Sequence, residues 1–207
     1  GKTVLMLHLN GLLKPTEGVV LYRDEPVSKN LALVRQRIGL VFQEPDNQLI
    51  GQTVAEDVAF GPENLGLPLD EIRSRVEESL KVLDIKHLRS KRPSALSGGE
   101  KRKAALAGIL AMQPEIIVLD EPFAGLDLPG VRGVLESLTL LHSAGHTLMV
   151  ITHDIDKVLA HAGRLLIMAD GHLMADGNPE ELIGQVEDYG IRGPAKGHRV
   201  RDMTWQK

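Results

Sequence analysis

Two nearly continuous apolar runs, IIVL at 116–119 and TLMVIT at 147–152, flank a stretch in which Val131, Val134, Leu135, Leu138 and Leu141 recur at helical spacing. Runs that are apolar at every position suit strands covered on both faces, and parallel strands need a long crossover between them. The pattern predicts a β-α-β unit, and with it an α/β fold. Further strand candidates are GVVLY (18–22), IGLVF (38–42) and RLLIMA (164–169). A second amphipathic helix is predicted over Asp70–Leu83, with Ile72, Val76, Leu80 and Leu83 on one face and Asp70 as its N-cap.

Between about Glu44 and Leu96 the β signals vanish, and GPENLGLPLDE breaks the chain between two helical stretches. A helical subdomain over about 44–96 is expected, inserted into a core formed by 1–43 and 97–185. The stretch 186–207 is Gly-rich, basic and aperiodic, so it is expected to be a mobile tail, with docking on a partner as the alternative.

With 207 residues the chain can bury one sizeable core, and at 3% aromatic content that core must rest on Leu, Ile, Val and Ala. The absence of cysteine excludes disulfides, thiolate zinc sites and cysteine nucleophiles, and fits a reducing compartment. A net charge of −4 gives no general reason to expect a nucleic-acid partner. The longest uninterrupted apolar stretch, 104–112, falls far short of the roughly 18 residues of a membrane span. The opening Gly-Lys-Thr is no secretory signal. Any membrane connection is expected to run through a partner.

Three motifs carry chemistry. Ser97-Gly98-Gly99-Glu100 fits a capping box, S-x-x-E, and this alone would explain it. Its two glycines also clear space for a phosphate at the free N–H groups of the helix that follows. IIVLDEP delivers Asp120 and Glu121 to the carboxyl end of a strand, where open α/β sheets bind ligands. A first carboxylate there can hold Mg²⁺, and a second can orient or deprotonate an attacking water; a polar turn ended by Pro122 is the plainer alternative. Gly1-Lys2-Thr3 matches the end of the phosphate-cradling loop G-x-x-x-x-G-K-[ST], in which Lys reaches the β/γ-phosphates and Thr binds Mg²⁺. Alone it is weak; with a strand-terminal Asp-Glu later it supplies both halves of a Mg–nucleotide site. Gln43 and His153 each end a predicted strand at the same edge, as polar strand ends or as groups touching metal, water or γ-phosphate. The remaining histidines show no metal-ligand spacing.

The order of these motifs resembles the ATP-binding cassette (ABC) ATPases over essentially the whole chain, which implies a P-loop NTPase core with an inserted α-helical subdomain. Gly1, Lys2 and Thr3 resemble the end of the Walker A loop, and Gln43 the Q-loop glutamine. Leu96–Glu100 resembles the signature sequence, and Ile116–Asp120 followed by Glu121 resembles Walker B and its catalytic glutamate. Ala124–Asp127 resembles the D-loop, and His153 the switch histidine. The resemblance implies catalytic roles for Glu121, His153 and Gln43. It implies nucleotide contacts from Gly1, Lys2, Thr3, Ser97, Gly98, Gly99 and Asp127, and Mg²⁺ held by Thr3, Gln43 and Asp120, with ATP as substrate. It also implies a head-to-tail dimer with a second ATPase subunit, identical or not. In such a dimer, the signature helix of one protomer caps the γ-phosphate of ATP bound by the other.

Glu100 replaces a commoner Gln, and either completes a capping box. GLDLPG departs from the commoner Asp-Pro after the D-loop, which is expected to shift the helix start by about a residue. The front of the phosphate loop and the aromatic that stacks on adenine would precede Gly1, so these residues by themselves are expected to bind nucleotide poorly. The stretch VFQEPDNQLIGQTVAEDVAFGPENLGLP resembles the ATPases of energy-coupling-factor importers, leaning to the cobalt/nickel branch, with vitamin importers sharing the pattern. That implies integral membrane subunits as partners and a position on the cytoplasmic face of the membrane. A soluble cassette ATPase acting on DNA or ribosomes is the main alternative. The short gap between Gln43 and Ser97 leaves no room for a long coiled coil, and no cysteine is available for zinc. A non-catalytic nucleotide-sensing subunit is the third reading, opposed by the intact Glu121 and His153.

Overall fold

The computed structural model describes residues 1–193 and 199–206. A three-stranded parallel sheet runs in the order β3 (Ile38–Val41), β4 (Ile116–Asp120), β5 (Thr147–Ile151). Its central strand is buried from Ile117 to Asp120, as its uninterrupted apolar run requires. Side chains alternate between the two faces. Ile117 and Leu119 join a core with α5 (Gly98–Leu110) and α6 (Leu128–Ser143). Val118, with Ile38 and Leu40 of β3, joins a second core around Met6 of α1 (Lys2–Leu9) and Val34 of α2 (Leu31–Arg37). Helices therefore cover the sheet on both sides.

Between β3 and β4 lie α3 (Val54–Asn64) and α4 (Leu69–Val82), both packed on α5, and the described structure has no strand from Glu44 to Leu96. Asp70 is not the cap of α4: the helix starts at Leu69 behind Pro68, and the Asp70 side chain is fully exposed. α6 begins at Leu128, capped by Asp127 through a 3.0 Å bond from Gly130 N.

Two expectations change. GVVLY contributes only Leu21–Tyr22 (β1), paired antiparallel with Glu25–Pro26 (β2). Val19 and Leu21 are more than half exposed, while Val20 and Tyr22 pack against the core around Met6, so the run is covered on one face only. RLLIMA forms β6 (Leu165–Ala169), which lies outside the parallel sheet and pairs antiparallel with β7 (His172–Gly177). Asp170 and Gly171, both at positive φ, make the two-residue turn between them, the backbone a tight hairpin favours.

The stretch read as a mobile tail contains buried side chains. Val186 packs with Ile155, Leu159 and Ile167, and so do Val200 and Met203. Residues 194–198 and 207 of that stretch lie outside the described residues.

Candidate nucleotide site

The carboxyl ends of the parallel strands gather most of the predicted residues. Asp120, the last residue of β4, is 4% exposed and accepts a 2.7 Å hydrogen bond from Thr3 Oγ1 in the first turn of α1. Lys2, in the same turn, places Nζ 3.5 Å from the Thr152 carbonyl just beyond β5. The first turn of α1 carries no acidic residue, so its free N–H groups and Lys2 give this corner positive character. The Thr3 hydroxyl and the Asp120 carboxylate are hard oxygen donors side by side. That fits Mg²⁺, which typically takes one or two protein oxygens plus water and phosphate. No group of three or more His, Asp or Glu suited to enclosing a metal occurs among the described residues.

Glu121 continues the ladder for one residue, its N–H bonded to Ile151 O at 2.8 Å, and then adopts φ 44°. This left-handed conformation is uncommon for a residue with a side chain and turns the chain sharply at the strand end. The carboxylate accepts from Thr152 Oγ1 at 2.9 Å and from His153 N at 3.1 Å, and lies 2.7 Å from His153 Nδ1. The other ring nitrogen of His153 lies 3.6 Å from Asp154 Oδ1. A hydrogen bond from Lys157 holds the Asp154 carboxyl below the ordinary carboxylate range. Thr152 and Asp154 were not anticipated; their place beside His153 at the strand end was the available signal.

Gln43 follows Phe42 at the end of β3, at the same edge of the sheet as Asp120, with an exposed side chain. Its carbonyl accepts a 3.0 Å bond from Arg102 Nη1.

The remaining predicted residues stand elsewhere. Ser97, Gly98, Gly99 and Asp127 line a cleft of about 660 Å³ with Lys103 and Gly130, and none of Lys2, Thr3, Gln43, Asp120, Glu121 or His153 lines it. The capping box is complete: Ser97 Oγ accepts from Glu100 N at 3.3 Å, and Glu100 Oε2 from Ser97 N at 2.7 Å. The second bond holds the Glu100 carboxyl below its ordinary range. A Cβ at Gly98 would sit 3.2 Å from Leu126 Cδ2, and one at Gly99 would sit 3.3 Å from Gly130 Cα. The glycines therefore bring the N-termini of α5 and α6 together on one cleft, where N–H groups and dipoles favour an anion. Asp127 is exposed, and its side chain is engaged as the cap of α6.

Comparison with known proteins bears on the family. The ABC transporter family matches residues 1–124. The chain is 48% identical over 210 aligned positions to an energy-coupling factor transporter ATP-binding protein (EcfA) of Methanocaldococcus jannaschii, spanning 99% of this chain and 75% of that protein. It is 40% identical to the EcfA2 protein of Clostridium perfringens, over 96% of this chain and 72% of that one. Among solved structures it resembles cbiO1 of Clostridium perfringens, described as part of the ABC transporter complex cbiONQ. The TM-score is 0.82 at 41% identity, covering 91% of this chain and 76% of the other. The family match over residues 1–124 and the 48% identity to an EcfA protein show that the chain belongs to the ABC transporter family, among its ATPase subunits.

Proposed function

We propose that this chain is the ATP-hydrolysing subunit of an energy-coupling-factor importer, working as a head-to-tail dimer beneath integral membrane subunits. One observation supports the reading: the residues read as the two parts of an ATP site stand in different clefts of a single chain. The Lys2–Thr3–Asp120–Glu121–His153 corner has cations, hard oxygen ligands and a base. The Ser97–Gly99 cleft has two helix N-termini, and the Glu100 and Asp127 carboxylates that line it are engaged in capping bonds. Two copies facing each other would bring each corner against the partner's cleft and complete two sites.

In such a site Lys2 and the first turn of α1 bind the β/γ-phosphates. Thr3 and Asp120 would hold Mg²⁺, with Gln43 nearby, and the ion would supply positive charge against the phosphate oxygens. Glu121 orients the attacking water and takes its proton, while His153 fixes the Glu121 carboxylate and faces the γ-phosphate. The partner's Ser97–Gly99 turn covers the γ-phosphate with N–H groups. Catalysis is then positioning and charge stabilisation. Closure around ATP moves the helices α3 and α4, which would pass the motion to membrane subunits at the cytoplasmic face. No helix among the described residues is long and apolar enough to cross a membrane. The transported solute leans to cobalt or nickel ion on the pattern of the Q-loop segment 44–49, with a vitamin as the alternative.

The test is ATP hydrolysis by the full-length subunit beside Glu121→Gln. Mg²⁺-dependent turnover should fall about 10²–10⁴-fold in the variant, as for loss of a general base. ATP should still bind the variant and drive it to a dimer. A variant that hydrolyses at the parent rate, or a parent that binds ATP without dimerising, would refute the assignment.

A further inference from the structure

The signature helix carries one side chain that the proposed mechanism leaves unused. Arg102, in the second turn of α5, is only 7% exposed, rare for an arginine. Its Nη1 donates to the Gln43 carbonyl at 3.0 Å, and its Nη2 donates to the Ala124 carbonyl at 2.6 Å. Its Nε is buried without a hydrogen-bond partner among the described residues. Burial pushes the guanidinium below its ordinary range, while the carboxylates of Glu44 and Glu121 pull the other way. Next to it, Lys101 Nζ bonds Asp46 Oδ1 at 2.6 Å. Consecutive residues of α5 thus grip the segment 43–46 after β3, and one of them also grips the turn between Glu121 and Asp127.

A buried cation with an unsatisfied nitrogen is a costly way to pack a helix on a loop, since an apolar side chain of similar volume is often as stable. What the guanidinium adds is geometry: a planar fork fixes two acceptors at a set separation. The two acceptors belong to segments serving the chain's own nucleotide, whereas the N-terminus of α5 belongs to the cleft that would cover the partner's nucleotide.

We infer that Arg102 is a positioning residue that ties Gln43 and the turn carrying Glu121 to the signature helix, so that engagement of the Ser97–Gly99 turn by the nucleotide in one site adjusts Gln43 and Glu121 in the other. This rests on the proposed head-to-tail function. Arg102 touches no reacting atom; it acts through the two backbone carbonyls. Lysine keeps the charge but reaches one acceptor, and methionine reaches none.

The experiment uses the full-length subunit assembled with its membrane partners, comparing the parent with Arg102→Lys and Arg102→Met. ATP affinity without turnover should change less than about twofold. By contrast, kcat should fall about 10–100-fold from misplacement of the catalytic groups, and the Hill coefficient for ATP should drop toward one. Amide hydrogen exchange on Arg102→Lys should accelerate at 43–47 and 122–127 and stay unchanged in the rest of α5. If Arg102→Met does not fold, Arg102→Lys and its exchange pattern decide. A folded Arg102→Lys with parental kcat and Hill coefficient overturns the inference, as does exchange accelerated uniformly along α5, the mark of a packing role alone. A parent complex that shows no Mg²⁺-dependent hydrolysis would instead overturn the functional reading.

Discussion

Gly39 in β3 decides how close the signature helix can come to the sheet, and replacing it with alanine should destabilise the protein. A Cβ there would lie 2.2 Å from Ile109 Cγ2 and 3.7 Å from Pro114 Cβ. Carbon atoms in good contact sit about 3.5–4.0 Å apart, so Ile109 or α5 must yield by about 1.3 Å or more. Two effects compete. In a strand with room, Gly→Ala would stabilise by about 0.4–1 kcal/mol through the unfolded chain. Against that, overpacking a core typically costs about 1–3 kcal/mol. Ile109 cannot simply swing away, because a β-branched side chain in a helix is almost confined to one χ1 rotamer. The clash should win, with a net loss of about 1–2 kcal/mol. Urea unfolding should show a lower midpoint at unchanged slope for Gly39→Ala. Ile109→Ala removes the colliding methyl, so in Gly39→Ala/Ile109→Ala most of the Gly39 penalty should vanish. That would leave a favourable coupling of about 0.5–3 kcal/mol. A Gly39→Ala protein at least as stable as the parent, or strictly additive losses in the double variant, would show that α5 does not pack this tightly on β3.

Other consequences concern the capping box, the second hairpin and the C-terminal segment. Ser97→Ala should cost about 1 kcal/mol in chemical unfolding, the usual loss at an N-cap, and should weaken ATP-driven dimerisation measured by light scattering. Glu100 has its folded carboxyl held below the unfolded value of 4.5, so its contribution is present above that pH and fades as pH falls through the lower folded value. Glu100→Gln should therefore flatten the acid limb of stability below about pH 4.5, and a limb unchanged in Glu100→Gln would refute that link. Gly171→Ala, at φ 80°, should cost about 1–2 kcal/mol by forcing a side chain into left-handed backbone, read as a lower unfolding midpoint. Trp205, the single tryptophan, bonds Asp156 through its indole N–H, and Lys157 Nζ lies 4.9 Å from its ring. Met203→Ala, by emptying a buried position beside it, should cost about 2–5 kcal/mol and shift Trp205 emission to longer wavelength.

The parallel sheet was legible because its strands pack against cores on both faces. IIVL has no polar position, TLMVIT has threonine only at its two ends, and the helix between them shows a clean stripe. Hairpins left weaker marks. β1 and β2 are two residues each, too short for periodicity. β7 reads HLMADG, with Leu173 and Met174 exposed, so it follows no burial pattern; only the Asp170-Gly171 pair announced it. Asp70 shows the limit of capping signals: a proline two residues earlier already set the extended backbone that ends where the helix begins. The 199–206 segment holds through Val200, Met203 and Trp205, single apolar residues among charges that composition reads as mobile. At the site, motif spacing singled out the residues that the structure gathers at the ends of the parallel strands and in the Ser97–Gly99 cleft. It missed Arg102, because within Lys101-Arg102-Lys103 nothing local tells a buried cation from two more accessible ones; only the packing of α5 against Gln43 and Ala124 does.

In the proposed dimer one helix would serve two sites. The first turn of α5 ends free N–H groups in the Ser97–Gly99 cleft, while its second turn reaches the opposite way, to the ends of β3 and β4. A rigid helix gripping both cannot shift at one end without loading the other, and α5 is made rigid by a complete capping box, by Gly39 against Ile109, and by α3 and α4 packed along it. A flexible signature loop could bind phosphate equally well, but its movement would be absorbed locally and leave Gln43 and Glu121 where they were. The buried Arg102 and the close helix–strand approach are costly features that such a loop would not need. They are what a chain requires if occupancy of one nucleotide site is to set the geometry of the other.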